Sequence, residues 1–404
     1  MGAMMNRRTP PPAFHVMIKP RGAICNLGCQ YCYFLSKESL YPESSFRMDD
    51  GLLERFTQQY IESQRSPEIT FAWQGGEPTL MGVDFYNKAV FYQQKYKQPG
   101  QKINNALQTN GVTLTDEWCR FFKSNDFLIG LSIDGPKHLH DAYRPDKGGN
   151  PTFERVFNGL ELLRQHKVEF NALTTVHAAN SPYPLDVYHF LRDEAKMAFI
   201  QFIPIVERDN KTGFQEGSKV TKRSVTAKGY GNFLIQIFDE WVRRDVGQVY
   251  VQIFDVALGA WLGQPGALCI FAPTCGTAMA MEHNGDLYAC DHFVEPKHLL
   301  GTLQEAELFD LVSSKHQFEF GRNKMDKLPK FCLGCDVRFA CHGGCPKNRL
   351  SRTPSGEQGL NYLCGGYKDF FHHIDDAMKI MAFLIRQGKA PAEVMNILAS
   401  HTVE

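Results

Sequence analysis

Cys25, Cys29 and Cys32 stand in the run C-N-L-G-C-Q-Y-C, three thiols on one short segment. Three thiolates on one loop are one short of the four-cysteine shell of an ordinary iron–sulfur cluster. They also lack the C-x₂-C…C-x₂-C or Cys/His spacing of a structural zinc site. A three-thiolate cluster leaves one iron open, and an open iron can bind a small molecule. The alternative is a three-cysteine zinc site completed by a distant fourth ligand. A second group lies far along the chain: Cys269, Cys275, Cys290, Cys332, Cys335, Cys341, Cys345 and Cys364. The C-x₂-C pair at Cys332 and Cys335 alone reads as zinc first, but eight thiolates are enough for two fully ligated four-iron clusters. Cys119, in D-E-W-C-R-F-F, stands apart and reads as a buried packing thiol.

The elements that must position these groups are written in the first half. Strand-like segments at 14–19, 69–73, 103–108, 127–133, 170–176 and 199–206 alternate with helix-like ones near 49–64, 83–97, 115–124, 152–166 and 184–195. In the fourth helix Thr152 can N-cap, and Val156, Leu160 and Leu163 share a face. Six strands separated by helices predict an α/β fold with a parallel sheet and right-handed crossovers, closing as a partial (β/α)₆ barrel. The Cys25–Cys32 loop then follows strand one directly. Sites on parallel sheets gather at the C-terminal strand ends, and three further motifs fall there. Gln74-Gly75-Gly76-Glu77-Pro78 follows strand two; its glycines admit close backbone approach, their carbonyls can accept from an ammonium group, and Glu77 can add a carboxylate. Q-T-N-G at 108–111 reads equally as a turn or a contact. Ser132 and Asp134 can bond a ribose or a peptide, while Gly135-Pro136 is a turn. Residues 207–225 are polar and lysine-rich, a helix is expected near 226–245, the cysteine-rich half begins near 250, and 367–398 is helix-like.

Composition narrows the class. The 404 residues are 43% hydrophobic and 22% charged, the balance of a globular chain. Lysine plus arginine equals aspartate plus glutamate at 44 each, so no global field selects nucleic acid or an anionic membrane. No signal peptide or long apolar run is present, and clustered rather than dispersed cysteines favour metal ligation in a reducing cytoplasm. Residues 1–5 read as a vector-derived leader with the native start.

The C-x₃-C-x₂-C spacing with Tyr31 before the last cysteine, the G-G-E-P run and the strand-end motifs resemble the radical S-adenosylmethionine (SAM) enzymes. The eight later cysteines resemble the SPASM extension of the peptide-modifying members. Within that group the resemblance is to the anaerobic sulfatase-maturating enzymes, through C-N-L-G-C-Q-Y-C, F-A-W-Q-G-G-E-P-T-L, L-Q-T-N-G, L-S-I-D-G-P, the Cys290-Asp291 pair and C-H-G-G-C. It implies a radical SAM barrel over 1–250, a SPASM-type domain over 251–366 and a helical segment over 367–404. It implies SAM and three [4Fe-4S] clusters as cofactors. Cys25, Cys29 and Cys32 would hold the SAM-binding cluster, and Tyr31, Gly75, Gly76, Glu77, Ser132 and Arg144 would contact SAM. Cys269, Cys275, Cys290 and Cys345 would hold one auxiliary cluster, and Cys332, Cys335, Cys341 and Cys364 the other. Gln74 would touch the substrate backbone, and Asp291 would be the general base in oxidation of a sulfatase Cys or Ser to Cα-formylglycine by β-hydrogen abstraction. His292, beside Asp291, reads as a packed or solvated side chain. The implied partners are a sulfatase segment of C/S-x-P-x-R type and an electron donor such as flavodoxin or ferredoxin, with no nucleic acid and no membrane. Tyr33-Phe34 departs from the family's Phe-Tyr order, which leaves the role of a tyrosine here open. Two alternatives stand beside this reading. One is a SPASM enzyme acting on another ribosomal peptide, disfavoured by the dozen or so residues ahead of strand one; the other is a zinc-ribbon interaction protein.

Overall fold

The computed structural model describes residues 13–400, so the expected leader at 1–5 lies outside the described residues. Six strands appear in chain order: β1 (His15–Lys19), β2 (Glu68–Trp73), β3 (Lys102–Thr109), β4 (Phe127–Ser132), β5 (Phe170–Val176) and β6 (Phe199–Pro204). Each pairs in parallel with the next. Helices cover the outer face: α1 (Asp50–Ser63), α2 (Val83–Tyr96), α3 (Asp116–Ser124), the single turn α4 (Lys137–His140), α5 (Phe153–Gln165) and α6 (Pro184–His189). Helix α1 shows the logic. The Asp49 carboxylate accepts from the Leu52 N–H at 2.8 Å, and Leu52, Leu53, Phe56 and Tyr60 are buried at helical spacing. Phe56 stacks on Tyr60 and meets Phe71 of β2 edge-on.

The start of α5 differs from expectation. Thr152 does not cap with its side chain; its hydroxyl donates to the Arg144 carbonyl at 2.6 Å. Asp141 takes the capping role, accepting from the N–H groups of Thr152 and Phe153 at 2.9 Å each. A carboxylate answers the positive helix end better than a hydroxyl, and Thr152 is left to hold the segment that carries Arg144. Val156, Leu160 and Leu163 are fully buried, as their spacing requires.

The barrel does not close on itself among the described residues. At one edge β6 pairs with β7 (Tyr250–Val251). At the other, β1 pairs in parallel with β8 (Ala278–Glu282), from His15 opposite Ala278 to Lys19 opposite Glu282. Two antiparallel strands, β9 (Asp286–Tyr288) and β10 (Leu299–Thr302), continue that edge. The cysteine-rich half thus completes the sheet and delivers the Cys290-Asp291 pair to the C-terminal end of β1.

Helix α7 (Ala227–Arg244) packs under the helix Cys364–His373, which begins at one of the candidate ligands. A Cβ on Gly366 would lie 1.9 Å from the Ala227 carbonyl oxygen, so only glycine permits this crossing. The helices Asp375–Arg386 and Val394–Ser400 complete the described chain. No described helix is long and apolar enough to cross a membrane.

Candidate active site

The loop carrying Cys25, Cys29 and Cys32 lies across the C-terminal ends of β1 to β5, tied down by backbone. Gly76 N–H donates to Gly22 O at 2.8 Å and Glu77 N–H to Ile24 O at 2.9 Å. Gly75 has φ +125°, and a Cβ on Gly76 would fall 2.1 Å from the Ile24 oxygen, so both glycines are required by contact with the cysteine loop. Glu77 is fully buried. Its carboxylate accepts from Thr79 N–H at 3.1 Å, Thr79 Oγ1 at 2.5 Å, Thr109 Oγ1 at 2.8 Å and Asn110 N–H at 2.8 Å. It therefore fastens the end of β3 to the glycine turn. Asn110 Nδ2 in turn donates to Asn26 Oδ1 at 2.7 Å, inside the cysteine loop. Burial pushes the Cys25 thiol up to about 12 and Cys29 to about 11. Thiols so placed ionise when a metal cation takes the proton's place.

Beyond them lies a buried polar network. The Tyr31 hydroxyl donates to Asp134 Oδ2 at 2.5 Å and accepts from Arg144 Nη1 at 3.0 Å. Asp134 Oδ1 accepts from Thr175 N–H at 3.0 Å, and its charge faces Arg144 at 3.9 Å. Burial opposes ionisation of Asp134, but Arg144 and His177 outweigh it and hold its carboxyl below the ordinary range. Arg144 is buried with its Nε unpartnered. Ser132 Oγ accepts from Gln108 Nε2 at 2.9 Å. The backbone N–H of Gln74 donates to Ile18 O at 2.8 Å, which sets the half-buried Gln74 beside the end of β1.

Asp291 occupies the opposite wall of the same mouth. One carboxylate oxygen pairs with Lys19 Nζ and the other accepts from the Tyr33 hydroxyl. Burial raises its proton affinity, yet the Lys19 ammonium, helped by the hydrogen bond from Tyr33, overcomes this and holds it down at about 2. His292 is itself driven down to about 3 by burial and the nearby Lys347, so it stays neutral. Tyr33, whose position departs from the expected order, thus reaches the candidate base after all. Lys19 escaped the sequence reading; its only signal was a lysine ending an apolar strand.

The later cysteines fall into two groups. Cys332, Cys335, Cys341 and Cys364 line one pocket, together with Phe331, Val337, Arg338, Gly343, Asn361 and Lys368. Burial raises Cys341 to about 12 and Cys364 to about 11. Cys269, Cys275 and Cys290 each stand within electrostatic reach of Cys345. Two cations lie beside them: buried Lys324 donates to the carbonyls of Cys269 at 2.5 Å and Ile270 at 2.9 Å, and half-buried Arg349 donates to Gly343 O at 3.1 Å. Cations beside four thiols suit a net-negative iron–sulfur cluster. Among the described residues, no three histidine, cysteine or carboxylate side chains are arranged for a single metal ion.

Comparison with known proteins agrees with this geometry. Residues 20–189 match the Radical SAM superfamily and residues 269–336 an iron–sulfur cluster-binding domain, SPASM. A serine-type anaerobic sulfatase-maturating enzyme of Bacteroides thetaiotaomicron is 47% identical over 394 residues, 95% of each chain. A cysteine-type enzyme of Clostridium perfringens is 33% identical over 90% of this chain and 96% of its own. The solved structure of native anSMEcpe with bound AdoMet and Cp18Cys peptide superposes with a TM-score of 0.82 at 33% identity, covering 93% of this chain and all of that one. With the cysteine loop, the glycine clasp and the two later thiol groups in place, the chain belongs to the anaerobic sulfatase-maturating enzymes, radical SAM enzymes with SPASM auxiliary iron–sulfur clusters.

Proposed function

We propose that this chain oxidises a sulfatase side chain, serine in preference to cysteine, to Cα-formylglycine with Asp291 as the base. The observation that carries the role of Asp291 is its placement: an ionised carboxylate beside Cys290, at the mouth where the ends of β1 and β2 meet the Cys25–Cys32 loop. The preference for serine rests on relatives at 47% and 38% identity that are serine-type, against 33% for a cysteine-type one. We divide the chain at 1–250, 251–366 and 367–404.

Cys25, Cys29 and Cys32 would hold the SAM-binding cluster, and the two later groups of four the auxiliary clusters. When bound, these cofactors supply hydrogen-atom abstraction at the substrate β-carbon and an acceptor for the electron then released. The protein does the rest. The Gly75 and Gly76 carbonyls and the buried Glu77 set the floor of the SAM site, with Tyr31, Ser132 and Arg144 along its walls. Gln74 holds the substrate backbone beside Lys19. Asp291, 6% exposed, takes the proton from the substrate hydroxyl as its carbon–oxygen double bond forms. Electrons travel through a one-electron carrier of flavodoxin or ferredoxin type. In support, the pocket of Cys332, Cys335, Cys341 and Cys364 has only Arg338 and Lys368 as charged lining. Phe331, Leu333 and Phe339 nearby are 39–50% exposed, and although Lys368 pairs with Asp336 at 3.7 Å, an apolar face edged by Arg338 and the exposed Lys330 suits an acidic carrier.

The test is an anaerobic assay of reconstituted protein with SAM, dithionite and paired sulfatase-type peptides carrying S-x-P-x-R or C-x-P-x-R. Formylglycine matched one to one by 5′-deoxyadenosine, faster with serine, is expected. Deoxyadenosine with neither peptide changed would refute the reading.

A further inference from the structure

Lys19 is 2% exposed, although lysine is among the residue types least often buried. Its Nζ pairs with Asp291 and lies 4.1 Å above the centre of the Phe34 ring. The two residues come from distant parts of the chain. Lys19 ends β1, and Asp291 follows β9; the parallel pairing of β1 with β8, which ends with Lys19 opposite Glu282, brings them together. Phe34, two residues past the last cysteine of the loop, supplies the third side of the lysine's cage. A buried carboxylate next to a cluster thiol needs a counter-charge, and one that is packed on every side also fixes direction.

We propose that Lys19 is a positioning residue for the oxidation: it anchors one oxygen of Asp291 so that the other, shared with the Tyr33 hydroxyl, faces the substrate. This rests on the assignment of Asp291 as base. In the step served, the substrate O–H bond breaks, the proton goes to Asp291 and the carbon–oxygen double bond forms; a cluster held at Cys269, Cys275, Cys290 and Cys345 would accept the odd electron. Without Lys19 the carboxylate turns away. Hydrogen-atom abstraction then proceeds, but the proton is not collected and the aldehyde does not follow.

The experiment uses the full reconstituted chain with SAM, dithionite and the serine peptide, comparing Lys19→Met, Lys19→Gln, Lys19→Arg and Asp291→Asn. Iron content, peptide KM and the ratio of formylglycine to 5′-deoxyadenosine are measured together. In Lys19→Met and Lys19→Gln the ratio should fall about tenfold or more, on the scale of a lost acid–base group, with iron and KM within about twofold of wild type. Lys19→Arg should restore a large part of it, since it keeps the charge. An unchanged ratio in iron-replete Lys19→Met overturns the proposal, as does loss of iron in both neutral variants, which would make Lys19 merely structural. Should Asp291→Asn itself give wild-type product, the base assignment fails and Lys19's role with it. An uncoupled Asp291→Asn beside a coupled Lys19→Met would sink the lysine proposal alone.

Discussion

Replacing Gly76 by alanine tests whether the glycine clasp builds the SAM-binding cluster site. The added methyl would lie 2.1 Å from the Ile24 oxygen and 2.4 Å from its carbonyl carbon. Ordinary contact needs more than 3 Å, so the Ile24 carbonyl must retreat by about 1 Å. That movement strains the Gly76–Gly22 and Glu77–Ile24 hydrogen bonds, 2.8 and 2.9 Å long. Overpacking costs about 1–3 kcal/mol and each weakened bond about 0.5–1.5 kcal/mol, so about 2–6 kcal/mol falls on this loop. A domain stable by about 5–15 kcal/mol stays folded at the lower end of that range, while the segment leading to Cys25 loses its anchor. Gly76→Ala should therefore retain the eight-cysteine clusters, lose most of the three-cysteine cluster, and cut SAM cleavage by about tenfold or more. Iron and sulfide analysis, low-temperature EPR of the reduced protein and 5′-deoxyadenosine yield read these out. Wild-type iron and SAM cleavage in Gly76→Ala would refute the reasoning, because a Cβ at that place could not then be displacing the cysteine loop.

Cys119 is fully buried in the core and near no ligand group, so Cys119→Ala should lower Tm by a few degrees and leave iron content unchanged. Asp291, held down at about 2, remains ionised from about pH 5 to pH 7, so kcat over that window should show no acid limb from this group. Its depressed value also stabilises the fold above the ordinary carboxylate range, and denaturation curves should show that contribution lost as pH falls toward about 2. Leu333→Asp combined with Lys330→Glu, both exposed beside the Cys332 pocket, should slow turnover with a flavodoxin-type carrier about tenfold and leave dithionite-driven turnover unchanged; equal slowing with both reductants would argue against carrier docking there.

The barrel was legible because β1 to β6 are strands of five to eight residues that each carry buried apolar positions, set between amphipathic helices, where period and length agree. Strands β7 to β10 were not, since runs of two to five residues carry no period. Their pairing is a tertiary decision, and it is what brings Asp291 to Lys19. Thr152 shows the limit of local rules: it sits where a cap belongs, but Asp141, eleven residues earlier, wins the helix end. Glu77 was readable as a carboxylate at a strand end. Its distant donors were not, because Thr109 and Asn110 reach it only across folded strands, whereas Thr79 is a local cap two residues on. The cysteines were the most legible part of the site in their number, eight later thiols being enough for two clusters, whereas their division between the two came only with the family resemblance. Lys19 and Tyr33 were the least, because a lone lysine and a displaced tyrosine acquire meaning only opposite Asp291.

The central claim is that Asp291 takes the substrate proton after hydrogen abstraction. The most direct measurement is the formylglycine to 5′-deoxyadenosine ratio of Asp291→Asn with a serine peptide deuterated at the β-carbon. Deuterium should appear in the 5′-deoxyadenosine at near wild-type yield, with little formylglycine. Full formylglycine from that variant would contradict the claim.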